Sequence, residues 1–493
     1  MFSNQTAELS LNRPVAAVDA IRGDKVNSKF IVGTSSVRAS EDNHLLLLRF
    51  HSDANHLGID ATLSHPTGPV EHIRTSPSDP SYVLTTAEND SPAAVTLWKI
   101  PSDVIDRTPT DDDDYNDYGG GDRDDDDDYY DRDGLNNNMN ITDNDTVTAM
   151  EERAILHVRA SGGSDSSRTD NTNNTAKLTV ADVAWRGNAW DEEPSTTSSM
   201  GDVATLCSDG TLTQWDVAFG SAESTRRCAV NVSSLRWNLP PRMAWDPHHS
   251  DITSISSGDV VQVVDWRESP SSSSSSSLST TINSNSGSGH PHHRYGITDL
   301  DYNPNKPNLL VTSGKDGLLK FWDLRKTGSG CYDVNGGFDG DEGILVGGAR
   351  KKKQRPLLVA RGGHRHWTTR VLYNPFHDQL VLSAGTDSLV NLWRMSTISS
   401  APLLTFDDEH HQQQPNHQSS GNMATTITSA EETTESQQQP EGPNVRVSRY
   451  EHMDSVNAIA WGAADAWIYI SASYDGKVAL NHVPSKEKYK ILL

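Results

Sequence analysis

Three short segments of alternating apolar and polar residues lie close together between residues 293 and 325. They are separated by two turn-forming stretches, Asn-Pro-Asn-Lys-Pro at 303–307 and Gly-Lys-Asp-Gly at 314–317. Apolar residues that recur with period two between turn signals are typical of strands. The pattern therefore predicts three antiparallel strands joined by tight turns.

Four polar or aromatic residues occupy fixed places in this unit: His293, Thr312, Asp316 and Trp322. Thr312 lies ten residues before Trp322, and Asp316 lies six before it. The same offsets recur at His364, Ser383, Asp387 and Trp393, at His452, Ser471 and Asp475 with Asn481 in the Trp position, and in part at Thr205, Asp209 and Trp215. A half-buried chain of hydrogen bonds stabilises only when every member is satisfied, which explains a fixed spacing. These fourteen residues other than Asn481 are the predicted structural anchors of a repeated sheet.

The repeated unit resembles the blade of a WD-repeat β-propeller. Such blades take roughly 40–45 residues each, so seven blades need on the order of 300 residues. We therefore expect residues 1–493 to form a single all-β domain, a seven-bladed propeller with long insertions. Two blades depart from the pattern. In blade one, Phe50 falls near the Trp position; in blade four, Asp265-Trp266 replaces Trp-Asp and Ile255 replaces the hydroxyl residue.

Four stretches have the composition of insertions: about 103–150, 271–289, 327–358 and 404–447. They are rich in Asp, Ser, Gly, Gln or Thr and poor in aliphatic residues. Segments of this kind cannot bury enough apolar surface to offset their ordering entropy, so we expect them to be disordered.

The formal net charge is −25, and residues 111–133 alone carry thirteen Asp against two Arg. An acidic surface argues against binding to a nucleic-acid backbone, which needs a positive field. It fits a protein whose partners are other proteins. The basic stretch 350–355 is the one strongly cationic cluster, and it is either a solvated loop or a targeting signal.

The remaining chemistry points away from catalysis. The three cysteines show no CxxC pairing, and no residue at metal-ligand spacing accompanies His364 and His366. No nucleophile elbow, phosphate loop or zinc-protease helix is present. The chain begins without a basic, apolar leader, and no run approaches the roughly 20 apolar residues of a membrane helix. We expect no enzyme activity, no cofactor and no metal.

Propellers of this type bind partners through the loops before the inner strands and through the residue before each blade Asp. Exposed Trp, Tyr and Arg side chains are frequent at protein-binding hot spots. Such positions in blades five to seven are candidates for partner binding, although they also suit packing between neighbouring loops. The candidates are Arg294, Tyr295, Lys315, Arg365, His366, Trp367, Thr386, Met453 and Tyr474.

The last three blades also resemble one family, the EARP- and GARP-complex-interacting proteins, also called the tumour-suppressing subtransferable candidate family. The segments that carry the resemblance are Asp299–Lys306, Lys320–Asp323, His366-Trp367, Tyr373-Asn374, His377–Leu380, Ser396–Pro402, Tyr450–His452, Asp454–Val456, Ser471–Gly476 and Tyr489–Leu493. The resemblance implies a cytoplasmic scaffold, held peripherally at the trans-Golgi network and at early and recycling endosomes by tethering complexes. We expect the propeller itself to be monomeric. It implies a role in endosomal recycling, retrograde transport and vesicle sorting, and it supplies no catalytic residues.

Two other functions remain open. Trp322-Asp-Leu-Arg325 fits the box by which some WD-repeat proteins dock on the adaptor of a cullin-ring ubiquitin ligase. The blade pattern is also shared by propellers that bind peptides, cargo or histones, which need an acidic groove for a basic helix. The sequence leaves open which chain end latches the ring, and Tyr489–Leu493 is one candidate for an outer strand or a latch, because a closed ring leaves no open sheet edge.

Overall fold

Seven antiparallel sheets surround a central channel, which is lined by the inner strands of all seven. The predicted seven-bladed all-β propeller is therefore confirmed. The computed structural model describes residues 5–38, 42–87, 93–107, 138–139, 147–158, 178–186, 199–218, 221–230, 239–267, 279–282, 293–327, 356–402, 426–427 and 442–492.

Each blade has an inner, a second, a third and an outer strand, numbered here from the channel outward. In blades one to four these are Val15–Ala20, Lys29–Thr34, Asn43–His51 and His56–His65; Val70–Thr75, Tyr82–Ala87, Ala94–Lys99 and Glu151–His157; Val180–Trp185, Ser199–Cys207, Thr211–Ala218 and Ser221–Ala229; and Arg242–Trp245, Ile252–Ser257, Val260–Asp265 and Ser279–Ile282. In blades five to seven they are Ile297–Tyr302, Leu309–Gly314, Leu319–Asp323 and Leu358–Ala360; Thr368–Tyr373, Leu380–Gly385, Leu389–Met395 and Asn444–Glu451; and Val456–Trp461, Ile468–Ser473, Lys477–His482 and Ala7–Leu11.

Several strands and the helix Ser102–Ile105 lie within or overlap the bounds of the predicted insertions. Ser279–Ile282 forms the outer strand of blade four, and the strand Asn444–Glu451 begins inside the insertion placed at 404–447. Three two-residue strands, Asn138–Met139, Val147–Thr148 and Thr426–Ile427, pair in parallel with the outer strands of blades seven, one and five. The outer strand of a blade pairs with the exposed edge of the third strand. Such pairing can therefore form in polar sequence, as it does at Ser279–Ile282. Residues 103–107, 149–150, 327, 356–358 and 442–443 of these stretches are also described, and the rest of the four stretches lies outside the described residues.

The ring is closed by the N-terminal strand, not by the C-terminal stretch. Ala7–Leu11 pairs antiparallel with Lys477–His482 and so becomes the outer strand of blade seven. Tyr489–Leu493 adds no outer strand, because Ser485–Leu492 is an α-helix. It is anchored by a buried ion pair between Arg394 and Glu487.

Short helical segments follow the third strands of other blades. They are the helix Ser102–Ile105 and the 3-10 turns Leu324–Thr327 and Ser396–Ile398. The hydrophobic core lies between adjacent sheets, as in the cluster that joins blades seven and one through Leu480, Ile470, Leu46 and Phe30. This packing holds the loops at the two ends of the channel in fixed positions. We name the end where the inner strands begin the top face and the end where they finish the bottom face.

Candidate functional site

In blade five, the four anchor residues form one hydrogen-bonded chain. Trp322 Nε1 donates to Thr312 Oγ1 at 2.9 Å, and Thr312 Oγ1 lies 2.9 Å from His293 Nε2. His293 Nδ1 lies 2.7 Å from Asp316 Oδ1. Trp322 is a pure donor and an ionised carboxylate is a pure acceptor, so the protons run from Trp322 through Thr312 and His293 to Asp316. Burial keeps the pKa of His293 below its usual value, which suits a neutral ring in this chain.

Blade six repeats the chain with the same atoms. Trp393 Nε1 donates to Ser383 Oγ at 2.9 Å, and His364 lies 2.8 Å from Ser383 and 3.0 Å from Asp387. In both blades the second carboxylate oxygen accepts the backbone N–H of the residue after the histidine, Arg294 or Arg365. The chain therefore also fixes the loops that carry two candidate partner-binding residues.

In blade seven the chain is broken, contrary to the expectation that Asp475 closes it. His452 Nε2 lies 2.8 Å from Ser471 Oγ, but Asp475 Oδ1 accepts from Ser473 Oγ at 2.5 Å, and His452 Nδ1 has no hydrogen-bond partner. The position of Ser473 is glycine in blades five and six. A Cβ at Gly314 would lie 2.3 Å from the His293 ring, so a side chain there displaces the histidine–aspartate contact.

Blade three contains the second half of the chain. Trp215 Nε1 donates to Thr205 Oγ1 at 2.9 Å, and both side chains are buried. Asp209 accepts from the backbone N–H and the hydroxyl of Thr211, both at 2.9 Å, and so holds the turn between the second and third strands. Asp209 thus still holds the turn in blade three, although no histidine among the described residues bonds to it.

Two further chains were missed by the sequence analysis. In blade two, Trp98 Nε1 donates to Thr85 Oγ1 at 2.8 Å, and His65 Nε2 lies 2.9 Å from the same oxygen. In blade four, Trp266 Nε1 donates to Thr253 Oγ1 at 2.8 Å. In both blades the tryptophan follows the threonine by thirteen residues, because the intervening hairpin is longer than in blades five and six. A search with a variable hairpin length would have found them.

The assignment of Asp265 to the Trp position of blade four is consequently wrong. Trp266 occupies it, and Ile255, buried within the same hairpin, is not the hydroxyl position. Asp265 instead binds Arg267 through both oxygens, with the shortest contact at 2.6 Å.

The candidate partner-binding residues lie on the top face of blades five to seven. They occupy the loops before the inner strands and the turns between second and third strands. Four are large apolar or aromatic residues with a substantial exposed fraction: Tyr295 at 40%, Trp367 at 43%, Met453 at 85% and Tyr474 at 49%. Because apolar side chains are usually buried, this concentration marks a candidate interaction surface. We name it the top-face patch.

Contacts between neighbouring blades hold the centre of this patch. Lys315 Nζ of blade five lies 4.2 Å from the centre of the Trp367 ring of blade six, a cation–π contact. The His366 ring stacks on Trp367, with centroids 5.1 Å apart, and lies within hydrogen-bond distance of the Thr386 hydroxyl. The backbone N–H of Thr386 donates to the carbonyl of Trp367 at 2.9 Å. Four of the nine candidates therefore form one packed unit.

The remaining candidates flank this unit. The Arg294 guanidinium lies 5.2 Å from the ring centre of Tyr295, on the blade-five side. On the blade-seven side, Ser455 Oγ donates to the carbonyl of Thr386 at 3.4 Å, and its own carbonyl accepts the N–H of Tyr474. The structure gives no contact that joins Arg294 or Met453 directly to Trp367. The patch is thus continuous around Thr386 and less closely packed at its two ends.

A layer of charged residues inside the channel was also missed by the sequence analysis. Six inner strands have a register irregularity after their first residue, and the residue that follows it occupies an equivalent place in each blade. Those residues are Ala17, His72, Asp182, Asp299, Arg370 and Ala458. Arg242 takes the same place in blade four, because the N–H that follows it donates to Asp182 just as the N–H after Arg370 donates to Asp299. No periodic signal distinguishes these positions from ordinary strand residues.

Ion pairs and backbone bonds connect this layer from blade to blade. Arg74 lies 3.2 Å from Asp182, and Arg370 lies 3.8 Å from Asp299. Burial alone would raise the pKa of Asp182, but the guanidinium groups of Arg74 and Arg242 bring it below its usual value. Asp182 and Asp299 also accept backbone N–H bonds of 3.0 Å from the next blade. The layer thus links adjacent inner strands around much of the channel.

The box at Trp322-Asp-Leu-Arg325 has a simple local geometry. Arg325 binds both oxygens of Asp323 at 2.9 Å while remaining 60% exposed. Arg267 and Asp265 make the same contact in blade four, outside any such box. The geometry therefore gives the ligase-receptor hypothesis no support beyond the sequence itself.

The described residues contain neither a candidate metal site nor a candidate membrane-spanning helix. No group of three or more His, Cys, Asp or Glu side chains suited to a metal ion occurs among them. No helix in the described part of the chain is long and apolar enough to cross a bilayer. Cys207 and Cys228 are free thiols, and burial raises the pKa of Cys207 to about 12, so it is not a reactive thiolate.

The ring of seven sheets, with its histidine–hydroxyl–tryptophan chains, defines a WD-repeat β-propeller. The family described as "WD domain, G-beta repeat" matches residues 284–323 and 444–480, which include most of blades five and seven. Individual relatives match much more of the chain.

The human "EARP and GARP complex-interacting protein 1" is 27% identical over 490 residues, covering 98% of this chain and 96% of the relative. The zebrafish (Danio rerio) "EARP-interacting protein homolog" is 26% identical over 491 residues, with the same coverage. The Caenorhabditis elegans "EARP-interacting protein 1" is 28% identical over 249 residues, about half of each chain. The resemblance to this family, noted in the last three blades, is confirmed and extends to nearly the whole chain.

Proposed function

We propose that this protein is a non-enzymatic WD-repeat adaptor that binds the EARP and GARP complexes. The observation that carries the proposal is the similarity to proteins named for that interaction, which extends over 98% of the chain. In this proposal the protein is a cytoplasmic monomer, held at the trans-Golgi network and at endosomes by its partners. Its role is to support endosomal recycling, retrograde transport and vesicle sorting.

The top-face patch is the proposed binding surface. It combines exposed Trp367, Tyr295 and Tyr474 with the cationic side chains of Lys315 and Arg365. Aromatic and arginine side chains on a rigid surface contribute most of the energy at protein interfaces. The chains of hydrogen bonds in blades five and six fix the loops beneath them, so little conformational entropy is lost on binding.

The test is affinity purification of the tagged full-length chain from cells of its own source, with quantification of EARP and GARP subunits. The wild-type chain is expected to recover these subunits, and recovery of none of them would reject the proposal. Trp367→Ala combined with Lys315→Ala should reduce recovery at least tenfold, because one substituted hot-spot residue typically costs about 2 kcal/mol or more.

A matched control separates the surface from a general effect of losing an exposed aromatic residue. Tyr489 lies on the C-terminal helix and is 65% exposed. Tyr489→Ala should recover the subunits as the wild type does. An equal loss of subunit recovery in Tyr489→Ala and in the Trp367→Ala, Lys315→Ala variant, or no loss in the latter, would place the binding surface elsewhere.

The peptide-, cargo- or histone-binding alternative needs an acidic groove for a basic helix. The top face of blades five and six carries Arg294, Lys315, Arg361 and Arg365, and the oxygens of its two anchor aspartates are engaged by histidine rings and backbone N–H groups. This charge distribution favours an acidic segment of a partner instead. Measuring the affinity of the wild-type chain for cationic helical peptides tests the alternative directly.

A further inference from the structure

The channel contains a cavity of about 280 Å³ near its bottom face. Three of its lining residues, Pro247, Pro304 and Pro375, each lie two residues after the end of an inner strand, which places the cavity at that end. Its charged lining residues come from blades one, two, three, five and six. Small side chains line it as well: Ala458 and Ala460 of blade seven and Ala20 of blade one.

Most of the charges that line this cavity are neutralised in pairs. Arg22 lies 3.2 Å from Asp19, and the pairs Arg74–Asp182 and Arg370–Asp299 complete the set. The lining therefore holds three guanidinium groups that are each matched by a carboxylate. A fourth carboxylate, Asp301, remains.

Asp301 has no cationic partner within ion-pair distance among the described residues. Its Oδ1 accepts the N–H of Tyr302 at 2.9 Å, and its Oδ2 accepts the N–H of Tyr373 at 2.8 Å. Arg22 is the cation that influences it electrostatically, but Arg22 is already engaged by Asp19. Burial, with a further contribution from Asp299, raises the pKa of Asp301 to about 7 despite the bond from Tyr373. A carboxylate held in a cavity without a counter-charge is a candidate recognition group.

We propose that this cavity binds an ammonium or guanidinium group, with Asp301 as its counter-charge. A charge-assisted hydrogen bond to the carboxylate supplies the pairing that the protein itself does not provide. An anionic ligand would instead meet guanidinium groups that are already paired and an additional negative charge. A divalent metal ion would find one carboxylate where several oxygen ligands are needed.

The cationic group has two possible sources, a free amine or guanidine and the side chain of a partner segment that enters from the bottom face. Methylguanidine represents the first. A tripeptide Gly-Arg-Gly blocked at both ends represents the second. Its matched control is Gly-citrulline-Gly, because citrulline has nearly the shape of arginine without the charge.

The experiment is isothermal titration of the full-length wild-type chain with each probe at pH 8. We expect saturable binding of methylguanidine or of the arginine peptide, and at least tenfold weaker binding of the citrulline peptide. Tighter binding of the arginine peptide identifies a partner side chain, and tighter binding of methylguanidine identifies a small ligand. Absence of saturable binding at millimolar concentration, or equal binding of the citrulline peptide, overturns the proposal.

Variants and pH give independent readouts. Asp301→Asn should weaken binding at least tenfold, whereas Asp259→Asn, in the top-face turn of blade four, should leave it unchanged. Ala460→Val narrows the cavity but keeps the carboxylate, so it should also weaken binding, and this readout does not depend on Asp301→Asn. Lowering the pH from 8 to 6 should weaken binding by about tenfold, since Asp301 is then largely protonated. Unchanged affinity in Asp301→Asn would refute the assignment.

Discussion

Replacing Thr312 by valine tests whether the hydrogen-bonded chain stabilises the propeller. Valine has nearly the same shape as threonine, so the substitution removes the hydroxyl without creating a large cavity. That hydroxyl accepts from Trp322 Nε1 and bonds His293 Nε2, both at 2.9 Å. Thr312 is fully buried, and so is His293.

The expected cost follows from the two groups that lose their partner. Leaving a buried donor or acceptor unsatisfied costs about 1–3 kcal/mol. Two such groups, the Trp322 indole N–H and the His293 ring nitrogen, therefore give a loss of about 2–6 kcal/mol. Because native proteins are stable by only about 5–15 kcal/mol, this is a large fraction of the total free energy of unfolding.

The assay is urea unfolding of the full-length chain, followed by tryptophan fluorescence and by circular dichroism. Agreement of the two probes checks that one cooperative transition is measured. Thr225→Val is the matched control, since Thr225 is exposed on the outer strand of blade three. It should change stability by less than about 0.5 kcal/mol.

A double-mutant cycle with Trp322→Phe separates the hydrogen bond from other effects. Phenylalanine removes the indole donor, so the two substitutions together should cost less than the sum of the single ones. Strict additivity would show that Thr312 and Trp322 do not interact in solution. A loss in Thr312→Val no larger than in Thr225→Val would refute the reasoning about the whole chain of anchors.

Three further predictions concern other parts of the fold. Burial raises the pKa of Asp301 to about 7, so the contribution of this carboxyl group to stability is fully present below the unfolded pKa near 3.8 and is lost as the pH rises through 7. Asp301→Asn should therefore be more stable than wild type at pH 8, by at most about 4 kcal/mol. A difference in stability that does not change with pH would contradict this. Glu487→Gln leaves Arg394 buried without a counter-charge and should cost about 3–5 kcal/mol in urea unfolding, unless the buried pair is not formed in solution. Gly476→Ala places a Cβ 2.3 Å from a backbone oxygen of the N-terminal strand that closes the ring, whereas Gly442→Ala, also at positive φ, meets nothing closer than 3.9 Å. Limited proteolysis should therefore release the N-terminal strand in Gly476→Ala and not in Gly442→Ala. Equal cleavage of the two variants would show that Gly476 does not contact the N-terminal strand.

The anchors that the sequence predicted and the channel layer that it missed differ in how far apart the interacting residues lie along the chain. The anchors of blades five and six were predictable because their partners lie within 10 to 23 residues and recur at constant spacing. The chains of blades two and four escaped because a longer hairpin moves the tryptophan three positions along while the strand register is kept. The break in blade seven depends on one side chain, Ser473, whose effect is visible only from the close approach at Gly314.

By itself, the sequence determined the number of blades and the residues that bond within blades five and six. These are consequences of local spacing, since a hairpin brings together residues whose separation is set by the length of its turn. The tertiary structure alone decided which chain end closes the ring and where the channel charges meet. Glu8 and Lys477 come from opposite ends of the chain to meet in blade seven, and Asp299 and Arg370 meet across two adjacent blades. These residues meet only when the ring closes, so their separation along the sequence does not predict the contact.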